Sequence, residues 1–293
     1  MSEIEIPDTA AAPPRAHCVA DSAGGLTFHV SDWVRPGPAA APGEAGPVDA
    51  LVLVRRGADP GAEDEVRLPL ASAEDGRPQA ALPSTVPLPE GRWDVHVAHG
   101  DAEPRRVAPG LNDLRSLVDR RPGPSTSPLS VRIPYPTKHG NLSLRSWRRA
   151  PHAEAGEIRA EGGELAVRGR LYRVGNPAEW LAGAVVEARC RRDASRVWTG
   201  KPVLEDDTEF SFTLPLAELA EGWKGGEEAW DLWLRPAGPD AAPARLARIL
   251  DDVPDKKEIF SYPAQPVAAP HGPAKAGPYY TTNNDLAVRV EDA

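Results

Sequence analysis

Cysteine is scarce: Cys18 and Cys190 are the only two in 293 residues. No CxxC or HxH pattern sits near either one. Two thiols cannot build a zinc site without histidine help, so a structural zinc module is not indicated. Long apolar runs are missing as well, and no stretch reaches the roughly 18 residues that a membrane-spanning helix needs. The opening MSEIEIPDTAAAPPRAH has acidic residues where an export signal needs basic ones, and it has no apolar stretch. These absences predict a cytoplasmic protein with reduced thiols, in which Cys190 packs as a small hydrophobe. Positive charge is also in short supply, with 34 Lys plus Arg against 43 Asp plus Glu and a net charge of -9. That balance argues against a nucleic-acid binder and against attraction to an anionic membrane.

The familiar catalytic signatures are absent too. The sequence has no GxGxxG or GxxxxGKS/T phosphate cradle, no GxSxG elbow and no HExxH. No catalytic residue, metal or cofactor is therefore indicated.

Turn-forming residues are plentiful, with 33 prolines and 26 glycines. Each proline inside a helix costs about 3 kcal/mol, so a helical bundle cannot absorb them, whereas short strands joined by turns can. The hydrophobic fraction of 41% suffices for a core. An all-β fold is expected.

The chain also matches itself at a shift near 140 residues, the sign of an internal repeat. Pro134-Tyr135-Pro136-Thr137-Lys138-His139-Gly140-Asn141-Leu142 aligns without gaps to Pro278-Tyr279-Tyr280-Thr281-Thr282-Asn283-Asn284-Asp285-Leu286. Trp93-Asp94-Val95 matches Trp230-Asp231-Leu232, and Leu111-Asn112-Asp113-Leu114 matches Leu250-Asp251-Asp252-Val253. Gly25-Leu26-Thr27-Phe28 resembles the run from Gly163 to Val167, and Thr85-Val86-Pro87-Leu88 matches Thr213-Leu214-Pro215-Leu216. These matches predict two tandem immunoglobulin-like antiparallel β-sandwiches formed by internal duplication. The expected organisation is a disordered tail over 1–14, sandwiches over 15–148 and 157–293, and a linker over 149–156.

Alternation of apolar and polar residues marks strands over 26–30, 50–55, 165–172, 184–191, 196–199 and 208–214. It points Leu26, Phe28, Leu51, Leu53, Trp93 and Val95 inward, with Trp230, Leu232, Leu286 and Val288 as their counterparts. Short helices are expected over 111–120 and 216–220, and surface loops over 34–48 and 263–278, where Pro, Ala and Gly concentrate.

The same alternation turns Trp233 and Arg289 outward in the second sandwich, and His96, Arg145 and Trp147 outward in the first. An exposed ring beside polar groups suits a sugar, whose C–H face stacks on it, and it equally suits a protein contact. His152 and Glu154 stand two apart, so they can share a face and a hydrogen bond. His96 and His99 stand three apart and point to opposite faces. The pairs Asp206-Asp207 and Asp251-Asp252 read as solvated turns. The repeated Tyr135, Thr137 and Asn141, with Tyr279, Thr281 and Asn284, read as a structural turn before the last strand of each domain, because Gly and Asn tolerate positive φ.

The run from Tyr135 to Ser143, most of all Gly140-Asn141-Leu142-Ser143, resembles the C-terminal β-sandwich regions of actinobacterial teichoic-acid-type glycosyltransferases and glycerophosphotransferases. In that family catalysis belongs to a separate α/β unit, and the sandwich tail serves assembly or polymer contact. The resemblance implies a non-catalytic accessory protein of cell-envelope glycan or teichoic-acid-type polymer synthesis. Such a protein binds a carbohydrate polymer or a glycosyltransferase partner, with Trp147, His152, Trp233, Arg145 and Arg289 as candidate contacts. A transferase with a site near Trp147 and His152 is the alternative, and a homo-oligomerisation module a third reading.

Overall fold

The computed structural model describes residues 12–33, 48–57, 64–118, 120–238 and 241–293. The expected tail lies outside them as far as residue 11, and the expected loop over 34–48 as far as residue 47. The chain divides into two compact units, one running to Leu117 and taking in Arg132–Ser146, the other formed by Val118–Val131 and Trp147–Ala293.

The strands of the first unit are β1 (Arg15–Ala20), β2 (Leu26–Ser31), β3 (Asp49–Arg55), β4 (Glu65–Pro69), β5 (Ala71–Ser72), β6 (Pro78–Leu82), β7 (Gly91–His99), β8 (Arg105–Arg106) and β9 (Ala108–Asp113). Along the chain, β10 (Leu129–Pro136) and β11 (Leu142–Arg149) each cross the division between units. The second unit holds β12 (His152–Glu161), β13 (Glu164–Tyr172), helix α1 (Pro177–Leu181), β14 (Val185–Cys190), β15 (Val197–Gly200), β16 (Val203–Leu204) and β17 (Glu209–Pro215). It continues with helix α2 (Leu216–Ala220), β18 (Glu228–Arg235), β19 (Ala244–Ala247), β20 (Gln265–Val267), β21 (Ala274–Tyr280) and β22 (Leu286–Asp292).

The fold is an all-β sandwich architecture in which period-two alternation builds the cores. Leu26, Phe28 and Val30 of β2 are buried, as are Leu165, Val167 and Leu171 of β13 and Trp230, Leu232 and Leu234 of β18. Each such side chain contributes about 1.5–3 kcal/mol by leaving water. Gly169 lets β13 approach its neighbours closely, since a Cβ there would stand 2.6 Å from both the Glu154 carbonyl oxygen and the Phe210 ring.

Strand order is the same in both units over nine strands. One layer reads β6-β2-β1-β9 in the first unit and β17-β13-β12-β19 in the second, and the other reads β4-β3-β7-β11-β10 and β15-β14-β18-β22-β21. The second unit's layers join through β19, which pairs with both β12 and β18. In the first unit the same passage is split between β8, on β7, and β9, on β1.

Several expectations are corrected. The β1–β9 and β12–β19 pairings are parallel, so the sheets are mixed; alternation has the same period in either direction and does not reveal this. The expected linker is strand β12 from His152 onward, paired to β13. Within the helix expected over 111–120, residues 111–113 end β9 and Arg115–Leu117 form a 3-10 turn, while α2 falls on the expected 216–220. The expected loop over 263–278 contains β20 and most of β21. Leu82 pairs with Leu26, and Leu214 with Leu165. Thr85, beyond β6, and Thr213, inside β17, are therefore not counterparts.

Candidate functional site

Two turns share one hydrogen-bond pattern. The Thr137 N–H donates to the Asn141 carbonyl at 2.8 Å, and the Thr281 N–H to the Asp285 carbonyl at 2.9 Å. Each threonine hydroxyl accepts the N–H four residues on, that of Asn141 or of Asp285, at 3.2 Å. The turns close the β10–β11 and β21–β22 hairpins. Asn284 also has a use that its first-unit counterpart Gly140 lacks. It is fully buried, its Oδ1 accepts the Lys256 N–H at 3.0 Å, and its Nδ2 donates to the carbonyl of Val253 at 3.2 Å.

The Trp-Asp pairs are equally alike. Trp93 and Trp230 face the cores, and the aspartates beside them face out, each held by two arginines. Asp94 binds Arg56 through Nε at 2.8 Å and Arg106 at 3.1 Å. Asp231 binds Arg191 through Nε at 2.8 Å and Arg245 at 2.5 Å. Burial pushes the Asp94 carboxyl up, but hydrogen bonds from Arg56 and Ser143 and the Arg106 charge prevail and hold it below the usual carboxylate range. The hydrogen bond to Asp231 raises Arg191. These clamps escape sequence reading because their arginines come from segments far apart along the chain; only the doubled Trp-Asp hints at them.

Beside the second clamp lies a cleft of about 220 Å³ on the outer face of β21–β22. Cross-strand register places Lys275 opposite Glu291, Gly277 opposite Arg289 and Tyr279 opposite Ala287. The Arg289 guanidinium lies over the Tyr279 ring, 4.5 Å from its centroid. Phe260 and Tyr262, on the segment between β19 and β20, form the other wall with Lys257. That segment comes close because Gly277 has no side chain; a Cβ there would stand 2.9 Å from the Ala264 Cα. Burial pushes the Tyr262 hydroxyl up, opposed by its hydrogen bond with Tyr280. Rings, two ammonium groups, a guanidinium and a carboxylate thus share one small depression. Such a surface can stack a sugar and hydrogen-bond its hydroxyls. The alignment assigns Val131 and Ile133 to the places of Lys275 and Gly277, and both are buried.

Of the candidate contacts, Arg289 lines this cleft, joined by Tyr279 from the turn motif. Trp233 is half-buried near the clamp, with the guanidiniums of Arg189 and Arg245 each 5.0 Å from its ring. It is not an open platform. Trp147, Arg145 and His152 are corrected as exposed contacts, while the hydrogen bond read for His152 with Glu154 is present. They are buried, at 1%, 7% and 0% exposure; for Arg145 and Trp147 the cause is that β11 is covered on both faces from Leu142 to Trp147, while His152 opens β12. Trp147 donates its Nε1–H to the Asn283 carbonyl at 2.9 Å. His152 Nε2 lies 2.7 Å from Glu154, whose carboxylate also accepts the N–H groups of Ile249 and Leu250. That pair is an internal anchor. His96 is partly buried, and burial, followed by the Arg106 charge, lowers its pKa. Asp251 accepts from the buried Lys256 ammonium at 2.6 Å and holds its own turn. Among the described residues no group of three or more His, Cys, Asp or Glu could hold a metal ion, and no helix is long and apolar enough to cross a membrane.

No family model matches the chain, and no curated protein does. Among solved structures it is similar to a fragment of S. aureus TarS, with 14% identity over 68% of this chain and 55% of that one and a TM-score of 0.29. A pullulanase from Anoxybacillus sp. LM18-11, complexed with maltotriose, matches at 8% identity over 75% of this chain and 24% of that one, with a TM-score of 0.24. The chicken interferon gamma receptor alpha chain matches at 7% identity over 80% and 97%, with a TM-score of 0.19. The chain thus spans little more than half of the TarS fragment, and scores this low carry no argument about function.

Proposed function

We propose that this chain is a non-catalytic binding protein of cell-envelope glycan or teichoic-acid-type polymer synthesis, working in the cytoplasm, that holds a carbohydrate polymer on the outer face of its second unit. The observation that supports this reading is the cleft in which Arg289 lies over Tyr279 and faces Phe260 and Tyr262. A sugar entering it would exchange the guanidinium–ring contact for a C–H–ring contact and keep the charged groups as hydroxyl partners. The envelope setting rests on the Tyr135–Ser143 motif. A reducing compartment fits the two free, buried cysteines. The two units descend, in this reading, from one duplicated sandwich; common strand order, turn geometry and clamped aspartates support it.

A glycan array probed with the purified chain tests the binding reading. The native protein should retain one or more polymers, and Tyr279→Ala should lose them. A silent array, or equal signals from both proteins, would contradict it.

A further inference from the structure

The opposite layer of the second unit carries a feature that this reading does not use. On β13, Leu165, Val167 and Leu171 point inward, which turns Arg168, Arg170 and Tyr172 outward in one row. Beside them β12 bulges between Ala155 and Ile158. A bulge bends its strand and re-aims the side chains that follow. Two clefts open along this row, of about 380 Å³ and about 560 Å³, and both are walled by Glu157 and Arg168. They adjoin at these two shared residues and together make up a groove.

The lining is cationic in a chain whose net charge is -9. Arg168 and Arg170 stand at its centre, Arg120, Arg121 and Arg248 at one end, Arg159 and Lys201 at the other. Four glutamates line the groove beside these seven cations, and Asp251 meets Arg248 from outside it at 3.2 Å. Glu154 is already engaged by His152 and two backbone N–H groups. The remaining pairs lie in the open. Arg168 meets Glu205 at 3.5 Å with 59% and 34% of the side chains exposed, and Arg159 meets Glu157 at 2.6 Å with 72% and 50% exposed. Arg170 pairs with Glu209, also partly exposed. Pairs as open as these contribute little, so another anion can take the carboxylate's place.

From this we infer a second ligand site: the groove binds an extended polyanion, a chain bearing repeated phosphate or carboxylate groups. Successive outward residues of a strand stand roughly 7 Å apart, so Arg168 and Arg170 present a spaced row, and guanidinium forks match both anion types. Open stacking platforms, which single-stranded nucleic acids need, are scarce in the lining: Phe212 is almost wholly buried, and the Tyr172 ring already stacks against that of His152, 6.4 Å between centroids. The groove shares no residue with the Tyr279 cleft, so either site can fail alone.

The test is equilibrium binding of the full chain to inorganic polyphosphate, polygalacturonate, dextran and a single-stranded oligonucleotide at low and high salt. A double variant, Arg168→Gln with Arg170→Gln, is checked for an unchanged melt, and Tyr279→Ala serves as the control. Binding to either polyanion, weakened by salt, absent for dextran and reduced on the order of tenfold in the double variant, supports the site, and preference between the two tells phosphate from carboxylate. Tyr279→Ala should bind them as the native chain does. The inference is overturned if neither polyanion binds, if the double variant binds equally well, if orthophosphate competes as strongly as an equal concentration of polyphosphate groups, or if the oligonucleotide binds more tightly than both polyanions. Should the double variant melt early, the single Lys201→Gln variant, at the exposed end of the groove, takes its place with the same expected direction.

Discussion

Gly140 and Asn284 hold the same station in two separate turns. Each stands three residues after a threonine, each has a left-handed backbone, at φ 73° and 60°, and each donates its N–H to that threonine's carbonyl at 3.0 Å. Glycine takes this conformation without strain, and asparagine is among the few other residues that visit it routinely.

The difference between them predicts different sensitivities. Nothing lies within 4 Å of a Cβ built at Gly140, so Gly140→Ala should cost only the left-handed strain, about 1–2 kcal/mol. Asn284→Ala adds the loss of hydrogen bonds to Lys256 and Val253 at a buried position, where each unsatisfied group costs about 1–3 kcal/mol. Asn284→Gly removes the strain and keeps the second loss. Urea titrations should rank Asn284→Ala as the most damaging, and equal losses at Gly140 and Asn284 would contradict the assigned roles.

Trp230 and Trp233 separate the two faces of β18. Trp230→Ala empties a core site that is 2% exposed and should cost about 3–5 kcal/mol. Trp233→Ala removes contacts with two guanidiniums, each worth about 0.5–1 kcal/mol at an accessible site. Thermal melts should therefore show a several-fold larger shift for Trp230→Ala; equal shifts would mean that the faces are misassigned.

Acid should act through Asp94 and Glu187. Burial pushes the Glu187 carboxyl up, but the hydrogen bonds from Arg235 and Arg189 win and hold it below its usual range, as Asp94 is held. A carboxylate depressed in the folded state stabilises fully above its unfolded pKa, about 4, and loses that contribution as pH falls through the folded value. Urea midpoints should hold steady near neutrality and decline below about pH 4. In Asp94→Asn and Glu187→Gln the decline should be shallower. An undiminished acid slope in both variants would count against these ion pairs.

The cores were legible because burial on one face forces period two: Leu26, Phe28, Trp93, Trp230 and Val288, all expected inward, are all buried. The outward assignments fared differently. Alternation marks a face but not what covers it, so Arg145 and Trp147 on doubly covered β11 looked the same as Arg289 on β22. Phe260, Tyr262 and Lys257 reach the cleft from an irregular segment with no periodicity to follow. The clamps of Asp94 and Asp231 depend on arginines from segments far apart in sequence, which only the folded chain brings together.

The central claim is a sugar site in the Tyr279 cleft. The most direct measurement is an isothermal titration of the native chain and of Tyr279→Ala with the polymer the native protein retains on the glycan array. The native chain should bind saturably, and the variant should lose roughly tenfold or more in affinity, as removal of a stacked ring brings. Equal affinities, with both proteins melting at the same temperature, would contradict the claim.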